Sequence, residues 1–150
     1  ATYYIQKKNL EHALNPNEKD RASYLSETFQ PLMESGQLRV LEGSVEFLSG
    51  IEIIVVNGHT VAQQLVKISD KKETILFCAD LIPTSSHIPI PYIMSYDLHP
   101  LTTIKEKKEI LKKAVDENWT LIFEHDPYIE ASKVISTEKG FKKGEEVNLI

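Results

Sequence analysis

Two histidines and one aspartate each come directly after a segment with strand composition, and their side chains are possible metal ligands. Zn²⁺ accepts imidazole nitrogen and carboxylate oxygen at about 2.0–2.2 Å, and one carboxylate can bridge two ions. If the segments belong to one sheet, their ends can bring these side chains to a common site. Spacing alone leaves open that each side chain hydrogen-bonds a nearby loop instead. The residues are His59 after residues 51–57, Asp80 after residues 74–79 and His125 after residues 119–124.

Short strand-forming segments fill the middle of the chain. They are rich in β-branched residues and are separated by glycines and by the charged turn at residues 70–73, which favours antiparallel pairing of neighbours. A further strand is predicted at residues 2–5. The remaining predicted strands are residues 38–42, 45–48, 51–56, 63–69, 74–79, 119–124, 131–137 and 146–149.

Helices are predicted on both sides of the central strands. Residues 8–14 have apolar side chains at helical spacing. Over residues 103–117, Thr103 and Glu106 have the spacing of a capping box, and the lysines are expected to form a solvated face. Residues 17–36 are expected to form a loop with one or two short helical turns. This order of elements favours an α+β fold, with a mixed, mostly antiparallel sheet that carries helices on one face.

Residues 81–101 hold four of the seven prolines and have no clear periodicity, which is typical of a functional loop that shapes a pocket. Aromatic and histidine side chains in this loop are the candidates for contact with a substrate. The alternatives are exposed or capping histidines and ordinary loop packing. The candidates are His87, Tyr92 and Tyr96, with Met94 and His99 beside them.

Composition excludes several classes of protein. A formal charge of -5 gives no broad basic surface for nucleic acid, and 41% hydrophobic with 26% charged residues is the balance of a soluble globular protein. No apolar run approaches the roughly 20 residues that cross a bilayer. Cys78 is the only cysteine, so we expect a reducing, cytoplasmic location. Alternation would place Cys78 on the same face as Asp80, but its apolar neighbours favour a buried, inert thiol.

The three candidate ligands lie in motifs that resemble a known family. Gly58-His59-Thr60, Ala79-Asp80-Leu81 and Phe123-Glu124-His125-Asp126 are similar, in order and spacing, to the third, fourth and fifth metal-binding motifs of the metallo-β-lactamase superfamily. Residues 80–100 resemble the branch that includes homoserine-lactone lactonases and methyl-parathion-hydrolase-like enzymes. The resemblance implies two divalent metal ions, expected to be Zn²⁺, with His59 and His125 as terminal ligands and Asp80 as the bridge.

The principal signature of that superfamily, His-x-His-x-Asp-His, does not occur in the sequence, and His12 is the only histidine before His59. We therefore expect residues 1–150 to be a single partial domain, the C-terminal half of an αββα sandwich, with an incomplete metal site. Strand composition at residues 2–5 agrees with a chain that begins within a fold. We expect this fragment to be inactive alone and to form a homo-oligomer through uncovered sheet surface.

The resemblance implies a hydrolase in which a metal-bridging hydroxide attacks an ester-like bond. A lactone or another carboxylic ester is the first expected substrate, and a phosphotriester is the second. Neither nucleic acid nor a membrane is an expected partner. One alternative is a glyoxalase-II-like thioesterase, which would differ in the loop at residues 81–101. The other is a non-catalytic binding or assembly domain on the same fold, which the missing signature favours.

Overall fold

The computed structural model describes residues 1–149 as strands, three α-helices and short 3₁₀ turns. The strands are β1 Tyr3–Gln6, β2 Leu38–Leu41, β3 Val45–Leu48, β4 Ile51–Val56, β5 Gln63–Ser69, β6 Thr74–Phe77, β7 Thr120–Ile122, β8 Ala131–Thr137 and β9 Gly140–Val147. The helices are α1 Lys7–Leu14, α2 Ser26–Glu34 and α3 Pro100–Asp116. The 3₁₀ turns are Arg21–Ser23, Ala79–Leu81 and Ser85–His87.

Seven strands form one sheet in chain order, from β3 to β9, and β1 and β2 form a separate parallel pair. Within the large sheet, β6 and β7 are parallel and every other neighbouring pair is antiparallel. Parallel neighbours require a crossover connection, and the loop at residues 82–99 together with α3 provides it. The expected α+β fold with a mixed, mostly antiparallel sheet is therefore confirmed.

The core lies between α3 and one face of the sheet. Leu76 and Leu121 are opposite each other in β6 and β7, and both are fully buried together with Leu111 of α3. Trp119, at the turn between α3 and β7, joins the same cluster. Burial of such side chains stabilises the fold by about 1.5–3 kcal/mol each, so α3 is fixed firmly on the sheet.

The opposite face of the sheet keeps exposed apolar side chains. Val45 and Val66 flank the buried Ile53 in register across β3, β4 and β5, and Val45 is 39% exposed. Ile68 is 49% exposed on the same face. The β1–β2 pair covers part of this face, where the rings of Tyr4 and Phe47 meet edge to face at 4.6 Å. The homo-oligomer expected from such a surface stays a prediction. Within residues 1–149, no helix combines the length and apolarity that crossing a bilayer demands.

The predicted capping box at the start of the long helix is wrong. The helix begins at Pro100, because proline at the first turn needs no amide partner and has its φ already fixed. The Thr103 hydroxyl contacts the His99 carbonyl, and the Glu106 carboxylate accepts hydrogen bonds from backbone amides outside the helix. Residues 17–36 also differ from the expected loop with short helical turns. α2 forms nine helical residues within this segment, although Pro31 lies inside the helix.

The lysines of α3 do not all lie on a solvated face. Lys107 is fully buried. Its Nζ donates hydrogen bonds to the carbonyls of Pro89, Ile90 and Tyr92 at 3.0, 3.4 and 2.6 Å. The prediction failed at this residue because the preceding loop folds back over α3 and covers it. Lys107 thus attaches the crossover loop to the helix.

Lys107→Met should destabilise the protein. The substitution keeps an apolar stem but leaves loop carbonyls without their donor, so we expect a loss of about 2–4 kcal/mol in the free energy of unfolding. Urea denaturation measures it. The exposed neighbour Lys108 supplies the control, because Lys108→Met should change stability by less than about 0.5 kcal/mol. Equal stability of the two variants would contradict the assigned role of Lys107.

The same lysine should make stability depend on alkaline pH. Burial lowers the pKa of Lys107 from 10.5 to about 8, although the charge of Asp97 acts in the opposite direction. Between these two values the unfolded chain binds more protons at this position than the folded chain, so folding becomes more favourable as pH rises. The stability of the wild type relative to Lys107→Met should therefore increase from about pH 8 to about pH 10. Denaturation at both values tests the sign, and a decrease would refute it.

Candidate metal centre

The structure brings the three predicted ligand side chains together around one carboxylate. Oδ1 of Asp80 lies 3.2 Å from Nε2 of His125. Oδ2 of the same residue lies 3.5 Å from Nε2 of His59. Each oxygen of Asp80 therefore faces a different imidazole. The role of the three residues as metal ligands stays a prediction, but their convergence is a feature of the fold.

Strand direction explains why residues far apart in sequence meet. β4 is antiparallel to β5, and β5 is antiparallel to β6, so β4 and β6 run in the same direction. β7 is parallel to β6. The C-terminal ends of these three strands consequently lie at the same edge of the sheet, and each is followed by one of the candidate ligands.

Backbone geometry aims Asp80 away from the pleat of its strand. β6 ends at Phe77, and Asp80 lies in the 3₁₀ turn that follows. Ala79, directly before it, has a φ of 43°, in the left-handed region that side chains disfavour. Strand alternation therefore does not extend from Cys78 to Asp80, contrary to the sequence expectation. The Cys78 sulfur is buried against the Leu76 carbonyl, and burial raises the pKa of the thiol, which fits the inert interpretation.

The loops that carry Asp80 and His125 are fastened to each other. The amide of His125 donates to the Pro83 carbonyl at 3.0 Å. Asp126 accepts hydrogen bonds from the Ser85 amide and hydroxyl, at 2.9 and 2.6 Å, and from the amides of residues 128–129. Burial acts to raise the pKa of Asp126, but these hydrogen bonds outweigh it and lower the pKa to about 2. The carboxylate is thus ionised at neutral pH and holds the two loops in register.

His59 is oriented by a buried carboxylate. Oδ1 of Asp97 lies 3.0 Å from Nδ1 of His59, and the Asp97 side chain is inaccessible to solvent. This hydrogen bond raises the pKa of His59, while burial opposes it and the charge of Asp80 adds to it. Because Asp97 accepts a hydrogen bond from Nδ1–H of His59, the other ring nitrogen, Nε2, is directed at Asp80.

The loop around His59 packs directly against α3. A Cβ at Gly58 would lie 2.3–2.5 Å from Oγ1, Cα and N of Thr103, so only glycine fits this contact. Glu106 accepts hydrogen bonds from the amides of Asn57 and Gly58 at 2.8 and 3.0 Å. The helix N-terminal turns therefore fix the backbone position of His59.

These donors fit divalent metal ions. With Nδ1 of His59 engaged by Asp97, Nε2 faces a carboxylate oxygen, and this contact is favourable with either a proton or a metal ion between the two atoms. Two ligands of a tetrahedral ion at about 2.0–2.2 Å are about 3.3–3.6 Å apart. The observed 3.2 and 3.5 Å separations are close to that range. The residues present thus fit the metal that the sequence predicted.

A cavity of about 640 Å³ opens beside the candidate ligands. One wall comes from the segment at residues 17–24, which is anchored by two hydrogen bonds. Lys19 Nζ donates to the Asp97 carbonyl at 2.6 Å, and the Tyr24 hydroxyl pairs with Oγ1 of Thr60 at 2.7 Å. The lining residues are Lys19, Asp20, Ser23, Tyr24, His59, Thr60, Gln63, Asp80, Met94, Tyr96 and His125.

The loop candidates divide between this cavity and other positions. Tyr96 and Met94 line the cavity. His87 and Tyr92 are not among the lining residues, because Nδ1 of His87 is bonded to the Thr84 hydroxyl at 2.7 Å and the Tyr92 side chain is exposed elsewhere. His99 precedes α3 as its N-cap residue, without a side-chain capping bond.

Several site residues carried no clear signal in the sequence. Lys19 and Tyr24 reach the cavity only through long-range contacts that no local pattern encodes. Gln63 begins β5, and its amide lies 3.4 Å from Oδ2 of Asp80. Asp97 had a partial signal, since it lies in the stretch that resembles the lactonase branch, but its pairing with His59 depends on how the loop folds.

Comparison with known proteins adds a family match. The family model described as metallo-beta-lactamase superfamily matches residues 2–125. None of the curated proteins compared with the sequence matches it.

Solved structures share the fold at low sequence identity. A probable metal-dependent hydrolase from Staphylococcus aureus has a TM-score of 0.82 at 20% identity, covering 96% of this chain and 50% of that one. A hydrolase in the beta lactamase superfamily has a TM-score of 0.83 at 17% identity, and the match covers 100% of this chain and 56% of that one. A dizinc quorum-quenching lactonase in complex with a product has a TM-score of 0.79 at 20% identity, and the match covers 98% of this chain and 55% of that one. The chain therefore spans about half the length of these structures.

Asp97→Asn should lower the pKa of His59 in the metal-free protein. The carboxylate hydrogen bond is the largest factor that raises this pKa, and an amide oxygen accepts the same bond without stabilising a positive charge. NMR titration of the histidine ring protons measures the change. Asp116→Asn, which removes an exposed carboxylate on α3, is the control variant and should leave the His59 titration curve unchanged. An unaltered His59 curve would contradict the orienting role of Asp97.

Proposed function

Because the chain belongs to the metallo-beta-lactamase superfamily, we propose that the protein is a metal-dependent hydrolase of ester-like bonds. Lactones or other carboxylic esters are the first substrate class, and phosphotriesters are the second. The metals are proposed to be two divalent ions, with Zn²⁺ as the first candidate. One matched structure is described as a dizinc lactonase, which supports both the metal and the substrate class.

The observation that carries the proposal is the position of Asp80 between two imidazoles. Its Oδ1 faces His125 at 3.2 Å and its Oδ2 faces His59 at 3.5 Å. A carboxylate whose two oxygens each face a different imidazole nitrogen is suited to bridge two metal ions, with one imidazole as a ligand to each ion.

The protein residues prepare the site in three ways. Asp97 fixes the ring of His59 and its tautomer, Gln63 contacts the oxygen of Asp80 that faces His59, and the pairing of Asp126 with Ser85 holds the Asp80 and His125 loops together. When bound, divalent ions would lower the pKa of a coordinated water and polarise the substrate oxygen that gains charge. These contacts limit the rearrangement that ligand binding would otherwise require.

The cavity suits a small substrate with polar and apolar parts. The Lys19 amine and the Tyr24 hydroxyl lie on one wall, and Met94 and Tyr96 supply apolar surface from the crossover loop. Its volume of about 640 Å³ falls in the usual range for small-molecule sites, about 300–1,000 Å³. An ester with a short apolar substituent matches this lining.

We further propose that the 150 residues alone turn over no substrate. The His-x-His-x-Asp-His signature, which would add four ligands, does not occur in the sequence. That same absence favours the second candidate function, a binding or assembly domain that keeps the fold without catalysis. A thioesterase is the alternative within the hydrolases, and a substrate panel distinguishes it.

Protein expressed from the complete gene should hydrolyse lactones or aryl esters in a metal-dependent manner. Asp80→Asn and His59→Ala should each lower kcat/KM by at least about 100-fold, since ligand loss should cost at least as much as loss of an outer-shell partner. Chelation should abolish turnover and added Zn²⁺ should restore it. The control is Asp116→Asn, an exposed carboxylate on α3, which should retain activity.

The substrate panel contains a γ-lactone, an aryl ester, a phosphotriester and a thioester. Preference for the thioester would favour the glyoxalase-II-like thioesterase over the proposed lactone or ester hydrolase. Turnover that survives both ligand substitutions and chelation would overturn the metal mechanism. Complete inactivity toward the panel, together with intact metal binding, would favour the binding domain.

A further inference from the structure

A second carboxylate lies beside the proposed centre. One ligand atom each of Asp80, Glu124 and His125 lies within 4.8 Å of the others. Neither the sequence motifs nor the proposed function assigns a role to Glu124. We propose that Glu124 is a further metal ligand, and that this chain alone binds one divalent cation through Asp80, Glu124 and His125. The inference rests on the metal centre of the proposed function and adds a ligand to it.

The local backbone explains how two consecutive residues reach the same ion. Neighbouring residues of a strand point to opposite faces of the sheet. β7, however, ends at Ile122, and the chain bends at residues 124–125. The bend releases Glu124 and His125 from strand alternation, so both side chains turn toward Asp80.

The charges around this cluster also favour a cation. Glu124 and Asp80 are both carboxylates, and like charges at such a separation repel each other. In the part of the chain that the structure describes, no lysine or arginine forms an ion pair with either carboxylate, and the partners of Asp80 are His59 and His125. A divalent ion at this point would relieve the repulsion between the carboxylates.

The donor set indicates which ions fit. Two carboxylates and one imidazole form a mixed oxygen and nitrogen site, which Zn²⁺ and similar transition ions accept with positions left for water or substrate. Glu124 and His125 are both exposed, so an ion can reach them from solvent. Glu124 therefore supplies charge and a ligand that the three motif residues alone lack.

The test is Zn²⁺ binding to the 150-residue chain by isothermal titration calorimetry, supported by visible absorption of the Co²⁺-loaded chain. The wild type is expected to bind one Zn²⁺ per chain. Glu124→Gln should lower the affinity by at least about tenfold and alter the Co²⁺ spectrum, because outer-shell changes alone cost about 10–100-fold. The matched control is Glu130→Gln, an exposed glutamate outside the cluster, which should bind like the wild type.

Two companion variants separate this inference from the proposed function. Loss of binding in Asp80→Asn and His125→Ala but wild-type affinity in Glu124→Gln would overturn the role of Glu124 and leave the metal centre standing. Failure of the wild-type chain to bind Zn²⁺ would overturn this inference alone, because the proposed function is tested separately by the metal dependence of the complete gene product. Zn²⁺ binding that all three changes leave unaffected would overturn both the role of Glu124 and the assignment of Asp80 and His125 as ligands. Circular dichroism verifies that each variant is folded. Glu124→Ala, a second variant at the same exposed position, should show the same loss of Zn²⁺ affinity as Glu124→Gln.

Discussion

The common direction of β4, β6 and β7 is the constraint on which the rest of this molecule depends. Antiparallel pairing through β5 and parallel pairing of β6 with β7 bring three C-terminal strand ends to one edge of the sheet. The parallel pair demands a crossover, and α3 with its preceding loop provides one that also covers the core face. The connection that satisfies topology therefore also supplies Asp97, Met94 and Tyr96 to the candidate centre.

The crossover loop couples the stability of the fold to the geometry of the site. Lys107 holds the loop backbone at residues 89–92 from the helix side. At the far end of the loop, Asp97 is bonded to His59. Gly58 allows the His59 loop to approach α3 closely enough for Glu106 to bind its amides. The position of one imidazole thus depends on contacts that Thr103, Glu106 and Lys107 make from a single helix.

The sequence was sufficient for features that depend on local pattern. His59, Asp80 and His125 could be predicted because each follows a strand, and strand composition is visible locally. Asp97 and Lys107 could not, because their partners lie across a proline-rich loop without periodicity. Lys107 has the helical spacing of the buried residues Leu111 and Ala114, but the sequence does not show that loop carbonyls would satisfy a buried amine at this position. Long-range contacts, rather than propensity, decided those positions.

The left-handed backbone at Ala79 has a consequence for the position of Asp80. A residue with a Cβ in this region costs about 1–2 kcal/mol relative to ordinary conformations, and the buried surroundings of Ala79 offset that cost. The free-energy cost of the backbone conformation that positions Asp80 is therefore offset during folding. The backbone direction of Asp80 is therefore set when the chain folds, so any ion that this carboxylate bound would meet a backbone already in place.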